Sequence, residues 1–474
     1  MIPGAAIAAR SFIDPSGGRR TDAEAGWVNN NNIRQLVAER PLTSFQALAI
    51  ALCIGLNMLD GFDILAMSFS ASGVKAAWNL ADSRLGGLFS AGLVGMAAGS
   101  LLLAPCADAY GRRRIILLSV LIAAAGMLGS VAARGFGDLL ALRALTGVGI
   151  GGTIASVAVV VSEYAPDRWR SAALAAYSTG YPVGATVGGA LTALAIPRYG
   201  WRSAFAIGGV MTLALLVVAW RGLPESLDFL VTRRPPGALA RLNELLGRMR
   251  LPELSSLPES AASGGERPEG TRTPLRRLLT PTTFLIWVTF FCTMASFYFF
   301  VSWTPRLLNA AGLSATAGLT AGVLLNLGGI VGCGGFAIVV ARADARRLLI
   351  GSLIASALLI AAFGGVLHRL ELALWTALLL GVLSNAAMAG LYAVGPPLYP
   401  TAVRATGMGS AVGIGRFGAI LAPLASGAPL DRGWDASQLY WLFSGPFAIA
   451  AMAMLLVSSR SALEATLSVR SASP

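Results

Sequence analysis

SFQALAIALCIGLNMLDGFDILAMSFSA, residues 44–71, carries no charge except Asp60 and Asp63. A helix rises about 1.5 Å per residue and the hydrocarbon core of a bilayer is about 30 Å thick, so this stretch is long enough to cross a membrane as one helix. Windows of the same kind recur at 84–106, 114–133, 138–164, 171–196 and 202–222. After a gap they resume at 282–306, 314–341, 347–367, 371–397, 404–430 and 437–458. The pattern predicts an all-α integral membrane protein with twelve transmembrane helices.

Composition agrees with this reading. Of the 474 residues 55% are hydrophobic and 12% charged, where a soluble domain holds about 25% charge. Mean hydropathy is +0.68. The 56 glycines suit helices that pack closely in lipid. The net charge of +13 is carried by arginine, with Lys75 the exception among 36 basic residues. A basic balance of this kind belongs to loops that face anionic lipid, and no nucleic-acid partner is expected. Cys53, Cys106, Cys292 and Cys333 fall in or beside apolar runs, with no metal or disulfide spacing. Residues 1–43 hold Asp14, Arg19, Arg20 and the run Asn29 to Asn32, with no h-region, so the first span is expected to direct its own insertion uncleaved.

The gap differs in kind. Residues 223–280 contain RRPPG (233–237) and SSLPESAASGGERPEG (255–270), the pattern of a flexible linker. Ala238 to Met249 has Leu242, Leu245 and Leu246 on one side, as an amphipathic helix would. The chain thus divides into an N-terminal segment (1–43), a six-helix bundle (44–222), a linker (223–280), a second bundle (281–458) and a tail (459–474). Arginines crowd alternate loops: Arg112 to Arg114, Arg168 with Arg170, the linker, Arg342 with Arg346 and Arg347, and Arg404. The positive-inside rule puts those loops, the linker and both termini in the cytoplasm of a bacterial-type inner membrane. The halves repeat each other, DAYGRRRIILLSVLI (108–122) echoing RADARRLLIGSLI (342–354), and EYAPDRWRSAAL (163–174) echoing LYPTAVRATGMG (398–409). Two pseudo-symmetric six-helix bundles imply a binding site near midplane, between them.

Asp108-Ala-Tyr-Gly111-Arg112-Arg113 resembles the signature loop of the major facilitator superfamily, with Ala109 in place of its first Arg, and Arg143-x-x-x-Gly147-x-Gly149 resembles the second motif of that superfamily. LTSFQ (42–46), LDGFDILAMSF (59–69), SEYAPDRWRS (162–171), FYFFVSWTPRLL (297–308) and LYPTAVRATGMGSAVGIGRFG (398–418) are similar to stretches of the aromatic acid:proton symporter family. That resemblance covers nearly the whole chain. It implies import of benzoate-like or hydroxybenzoate-like anions with protons. In the second half Ala341 and Arg346 depart from the Asp and His that family often carries.

Asp60 and Asp63 share a helix face, and carboxylates at this depth are expensive, about 2.5–3.5 kcal/mol on insertion scales. They are candidates to take and release the coupling proton, Asp63 first because it lies deeper. Arg143 in the fourth span needs a partner, and Asp60, Asp63 or a substrate carboxylate would serve. Arg416, in the Gly-rich GIGRFG (413–418), is the candidate to hold the substrate carboxylate, against the alternative of a partner in the first span. One of Tyr298 or Phe299 would offer a ring to the cavity, and Asn326 and Asn385 would bond substrate or join helices. Trp303 is expected in the aromatic belt at the membrane surface. Asp108, Arg112, Arg113, Glu163, Arg168 and Arg404 are candidate gate residues, a role the superfamily resemblance implies.

His368 is the sole histidine and reads as a solvated loop residue, leaving proton coupling to carboxylates. No phosphate-binding loop, metal cluster or nucleophile–base pattern occurs, so neither ATP, a metal nor enzymatic chemistry is expected. The proton gradient is then the driving force, no cofactor is implied, and a monomer suffices. An exporter of drugs or metabolites is disfavoured because Pro182 in GYPVGATVGG (180–189) is misplaced for the exporter pattern. A transporter-like sensor is disfavoured because the linker holds no signalling domain. Aromatic monocarboxylates, hydroxylated variants and ring-cleavage lactones all fit these contacts.

Overall fold

The structure is a computed structural model that describes residues 33–38, 40–258, 280–399 and 403–471. Regular structure among the described residues is helical throughout. A short helix α1 (Ile33–Ala38) precedes six long ones: α2 (Ser44–Trp78), α3 (Asp82–Tyr110), α4 (Arg112–Val131), α5 (Phe136–Tyr164), α6 (Asp167–Tyr199) and α7 (Arg202–Gly222). Two short helices follow, α8 (Leu227–Arg233) and α9 (Ala238–Arg248). The second half holds α10 (Pro281–Ala310), α11 (Ala315–Val339), α12 (Ala345–Val366), α13 (Leu370–Val394), α14 (Arg404–Asp431) and α15 (Ala436–Ser471).

Eleven of the long helices are both long and apolar enough to cross a membrane. The remaining one, α6, has 33 residues and packs among the others, but its Gly, Thr, Tyr and Ser content leaves it less apolar. In lipid every backbone N–H and C=O must be paired within the segment, which is why apolar runs of this length fold as helices. Their outer faces expose Leu101, Leu194, Val210, Ile338 and Leu358, a surface for hydrocarbon rather than water.

Packing reveals the duplication. In each half the second long helix packs on the fourth, the first on the fifth and the third on the sixth: α3 on α5 and α11 on α13, α2 on α6 and α10 on α14, α4 on α7 and α12 on α15. The halves join through α3 against α14, α6 against α11, and α2 against α10, an arrangement that exchanges the two halves onto themselves. The approach of α2 to α6 depends on Gly61, where a Cβ would run into the backbone carbonyl of Tyr181.

The linker is only partly a tether. Residues 223–258 fold back on the first half, with Leu242, Leu245 and Leu246 of α9 and Leu227 and Leu230 of α8 in one cluster with Val37, Cys53 and Ile116. Residues 1–32 and 259–279 lie outside the described residues, and so does most of the expected linker sequence 255–270.

Candidate functional site

Asp60 and Asp63 sit at the middle of α2, and both are buried. Arg143 of α5 donates from Nη2 to Asp63 Oδ2 at 2.7 Å. Its guanidinium also lies 5.4 Å from the Phe205 ring centre, and 2% of the residue is exposed. The second Asp63 oxygen has no partner in the protein. The pair lines a cavity of about 20 Å³, enough for about one water molecule. A second cavity of about 10 Å³ is lined by Asp60, Asp63 and Thr153 together.

Thr153 gives Asp60 two hydrogen-bonded arrangements. Its hydroxyl lies 3.1 Å from Asp60 Oδ2 and 2.7 Å from the Ile150 carbonyl oxygen. A hydroxyl has one proton and two acceptor lone pairs. When Asp60 is ionised, Thr153 donates to it. When Asp60 is protonated, it donates to Thr153, which then donates to Ile150. Neither state leaves an orphaned group, the condition a reversible proton site needs.

Across from these residues, Arg416 stands at the middle of α14. Its Nη1 lies 2.7 Å from the Met96 sulfur of α3 in the other half, a weak acceptor that leaves the guanidinium short of a strong partner. Tyr181 of α6 and Tyr392 of α13 lie within electrostatic reach of Arg416 and of Tyr298 of α10. Tyr181 also lies within electrostatic reach of Asp60 and Asp63. Tyr181 and Tyr392 were missed by sequence reasoning. The only local hint was a tyrosine beside Pro182 in an unusually polar span.

Other candidates fall elsewhere. Phe299 does not face the cavity: it is fully buried, stacked on Phe443 at 4.0 Å between centroids and edge-on to Tyr440. Successive residues of a helix point about 100° apart, so Tyr298 and Phe299 cannot share a face. Trp303 is not in a surface belt. It is 0% exposed, edge-on to Phe89, and its indole N–H donates to the Pro423 carbonyl at 3.2 Å, between the halves. Asn326 and Asn385 donate to their own helices, at Gly322 and Gly381, and the Asn385 amide packs over Gly329 of α11. His368 is exposed, with Nδ1 3.3 Å from the Ala311 carbonyl.

The candidate gate residues separate into a network and two outliers. Arg112 pairs with buried Glu163 and, at 3.4 Å, with Asp108. Glu163 also accepts from the Ser226 hydroxyl at 3.0 Å and from the Leu227 N–H at 2.9 Å, so it holds the first turn of α8 beside its Ser226 cap. The Arg113 N–H donates to Glu225, and its guanidinium to the Trp220 carbonyl at 2.5 Å. Gln46, which closes a capping box with Thr43 at the start of α2, donates to the Tyr164 carbonyl. The stretches 42–46, 108–113 and 162–165, far apart in sequence, therefore converge on one end of the first half and on the linker that follows it. Arg168 is exposed beside Trp169, and Arg404 is exposed at the start of α14.

The opposite end carries what the sequence concealed. Asp82, at the start of α3, pairs with Lys75 of α2 and, at 3.6 Å, with Arg306 of α10. Asp431, the last residue of α14, accepts from the N–H groups of Asp82 at 2.7 Å and Ser83 at 3.0 Å. Ser68 donates to the Ser302 carbonyl, Asn309 to Ser72, and Ser90 to the Ile420 carbonyl. Among the described residues these contacts between the halves lie at the end away from the linker, and Arg416 meets Met96 nearer the middle of the helices. The halves are joined at that far end.

A family model described as the Major Facilitator Superfamily matches residues 50–343. The chain is 32% identical over 430 residues to the gallate transporter of Pseudomonas putida, spanning 90% of this chain and 94% of that protein. It is 30% identical over 445 residues to a 4-hydroxybenzoate transporter of Pseudomonas putida, with 92% and 97% covered. Among solved structures it matches a D-xylose–proton symporter with a TM-score of 0.70 over 87% of this chain and 97% of that one. At 15% identity that likeness speaks for the fold alone.

Proposed function

The chain belongs to the major facilitator superfamily, and from that membership we propose that it imports an aromatic carboxylate by proton symport, through alternating access of its two halves. Near full-length similarity to transporters of gallate and 4-hydroxybenzoate supports the substrate class. One observation carries the mechanism. Buried Asp63 pairs with Arg143 and buried Asp60 lies against Thr153 in the first half, while Arg416 of the second half has the Met96 thioether of the first against it.

The linker end is cytoplasmic by the positive-inside rule, as are both termini, and the membrane is the bacterial inner membrane. The contacts at the far end then close the periplasmic side. The protein is a transporter and not an enzyme, and it works as a monomer driven by the proton gradient without a cofactor. A proton enters on Asp60 or Asp63 from the periplasm. Neutralising Asp63 loosens Arg143, and the substrate anion binds Arg416 through its carboxylate with its ring on the apolar walls. Proton and anion together carry less charge through the low-dielectric centre than either alone. The loaded halves rock because the ligands favour the facing state that completes both contacts. Arg112, Glu163 and Asp108 hold the cytoplasmic end of the first half as one rigid unit with the linker.

The test is uptake of labelled benzoate and 4-hydroxybenzoate into proteoliposomes, with and without an inward proton gradient, for wild type and Asp63→Asn. Gradient-driven uptake abolished in the variant is expected. Wild type that moves no aromatic acid while folded would refute the assignment.

A further inference from the structure

We infer that the start of α2 and the end of α9 together form a binding site for the phosphate of an anionic phospholipid headgroup, held by Arg40, Arg248 and Arg250. The site lies at the linker end of the first half and is independent of which acid the protein carries.

A cavity of about 480 Å³ opens there, lined by residues 40–45 and 248–250. The cavities beside Asp63 measure about 20 and 10 Å³, so this one differs in kind. Pockets that take a small ligand run from about 300 to 1,000 Å³. Three of its nine lining residues are arginines and none is acidic. All three arginines are exposed. Among the described residues the ion pairs all involve other arginines or Lys75. Three like charges about one space repel each other, and an anion among them reverses the sign of that interaction.

The fold gathers these charges from two distant segments. Helix α9 is seated on the first half by Leu242, Leu245 and Leu246. Its last turn closes with the Leu251 N–H donating to the Leu246 carbonyl at 2.9 Å. That closure puts Arg250 at a φ of 59°, the left-handed position where helices usually end in glycine. An arginine there keeps a steric cost that glycine would remove, and it is a residue that lines the cavity. The Arg248 guanidinium lies 4.0 Å from the centre of the Phe45 ring, which ties the end of α9 to the start of α2. The N-terminus of α2 adds the positive end of a 35-residue helix.

The surroundings favour a lipid over a soluble phosphate. Leu42, in the lining, and Leu48, further along α2, are both exposed. Leu48 lies beside Gly222 at the end of α7. Trp220, on the same turn of α7, is exposed, and tryptophan is the residue type that settles at headgroup depth. A phosphate among the arginines would therefore have its acyl chains over Leu42 and Leu48. Basic pockets on the cytoplasmic side of membrane helices recognise anionic headgroups in this way. Inorganic phosphate would use the arginines and leave the leucines in water.

The experiment is native mass spectrometry of the full chain in neutral detergent, for wild type and Arg40→Gln/Arg250→Gln. Each is titrated with phosphatidylglycerol and with phosphatidylcholine, and inorganic phosphate is added as a competitor. The variant leaves Arg248 on Phe45, so α9 keeps its seat. Wild type should bind phosphatidylglycerol about tenfold or more tighter than phosphatidylcholine. The variant should lose about tenfold or more of its affinity for phosphatidylglycerol and keep that for phosphatidylcholine within about twofold. Equal binding of the two lipids by wild type overturns the inference whatever the variant does. Equal weakening of both lipids in the variant also overturns it, since the arginines would then serve the fold and not the headgroup charge. Displacement of phosphatidylglycerol by inorganic phosphate at matched concentration overturns the lipid assignment in favour of a soluble phosphate.

Discussion

Asp431→Ala should open the far end of the molecule. Helix α3 starts at Asp82 behind Ala81, which provides no side-chain cap, and its first N–H groups are accepted by Asp431 of the other half at 2.7 and 3.0 Å. Removing an N-cap oxygen costs about 1 kcal/mol, with a range of roughly 0.5–2. Asp431 is exposed, so its attraction to Lys75 adds no more than about 1 kcal/mol. The cap is made only when the halves are shut there, so the whole loss, about 1–2 kcal/mol, falls on the closed state. That corresponds to about a 5- to 30-fold shift toward far-end opening. Hydrogen exchange of the protein in nanodiscs reads this directly, because the freed amides are those of residues 82 and 83. Peptides covering the first turns of α3 should exchange about 5- to 30-fold faster, while peptides of α8 and α9 keep their rates. Unchanged exchange in α3, or equal acceleration at both ends, would refute the idea that Asp431 works as a cap across the halves.

Two further outcomes follow from the same geometry. A Cβ at Gly427 would enter the backbone of Asp82 and Ser83, so Gly427→Val should wedge the far end apart, and spin labels placed across that end should report a longer distance than in wild type. Glu163→Ala strips a buried partner from Arg112 and the acceptor of the Leu227 N–H at the start of α8, which should cost about 3 kcal/mol. A lower thermal midpoint and faster protease cleavage within 223–258 are expected, and an unaltered midpoint would show that the network contributes nothing to stability.

Some of the site was legible because it is anomalous on a local scale. Asp60 and Asp63 are conspicuous in a stretch with no other charge, and Arg143 and Arg416 stand out for the same reason. The side chains that complete the site are ordinary in their own segments. Tyr181 reads as one more polar residue of α6 until its hydroxyl proves to have no partner. Tyr298 and Phe299 are indistinguishable by composition, and a rotation of about 100° puts one between the halves and the other in the core. Trp303 has the sequence context of a membrane-surface residue, but the second half turns it against Phe89.

The sequence by itself determined the spans, the duplication and the depth of the intramembrane charges. Lipid enforces those features residue by residue: a backbone without water must form helices, and a helix of given length must be apolar. Only the tertiary structure decided which charges meet and which end is shut. Asp82 and Asp431 are separated by 349 positions, and each alone is a plain loop charge. Their contact exists because two separate six-helix bundles come together at that end. That meeting follows from an interface no local pattern encodes.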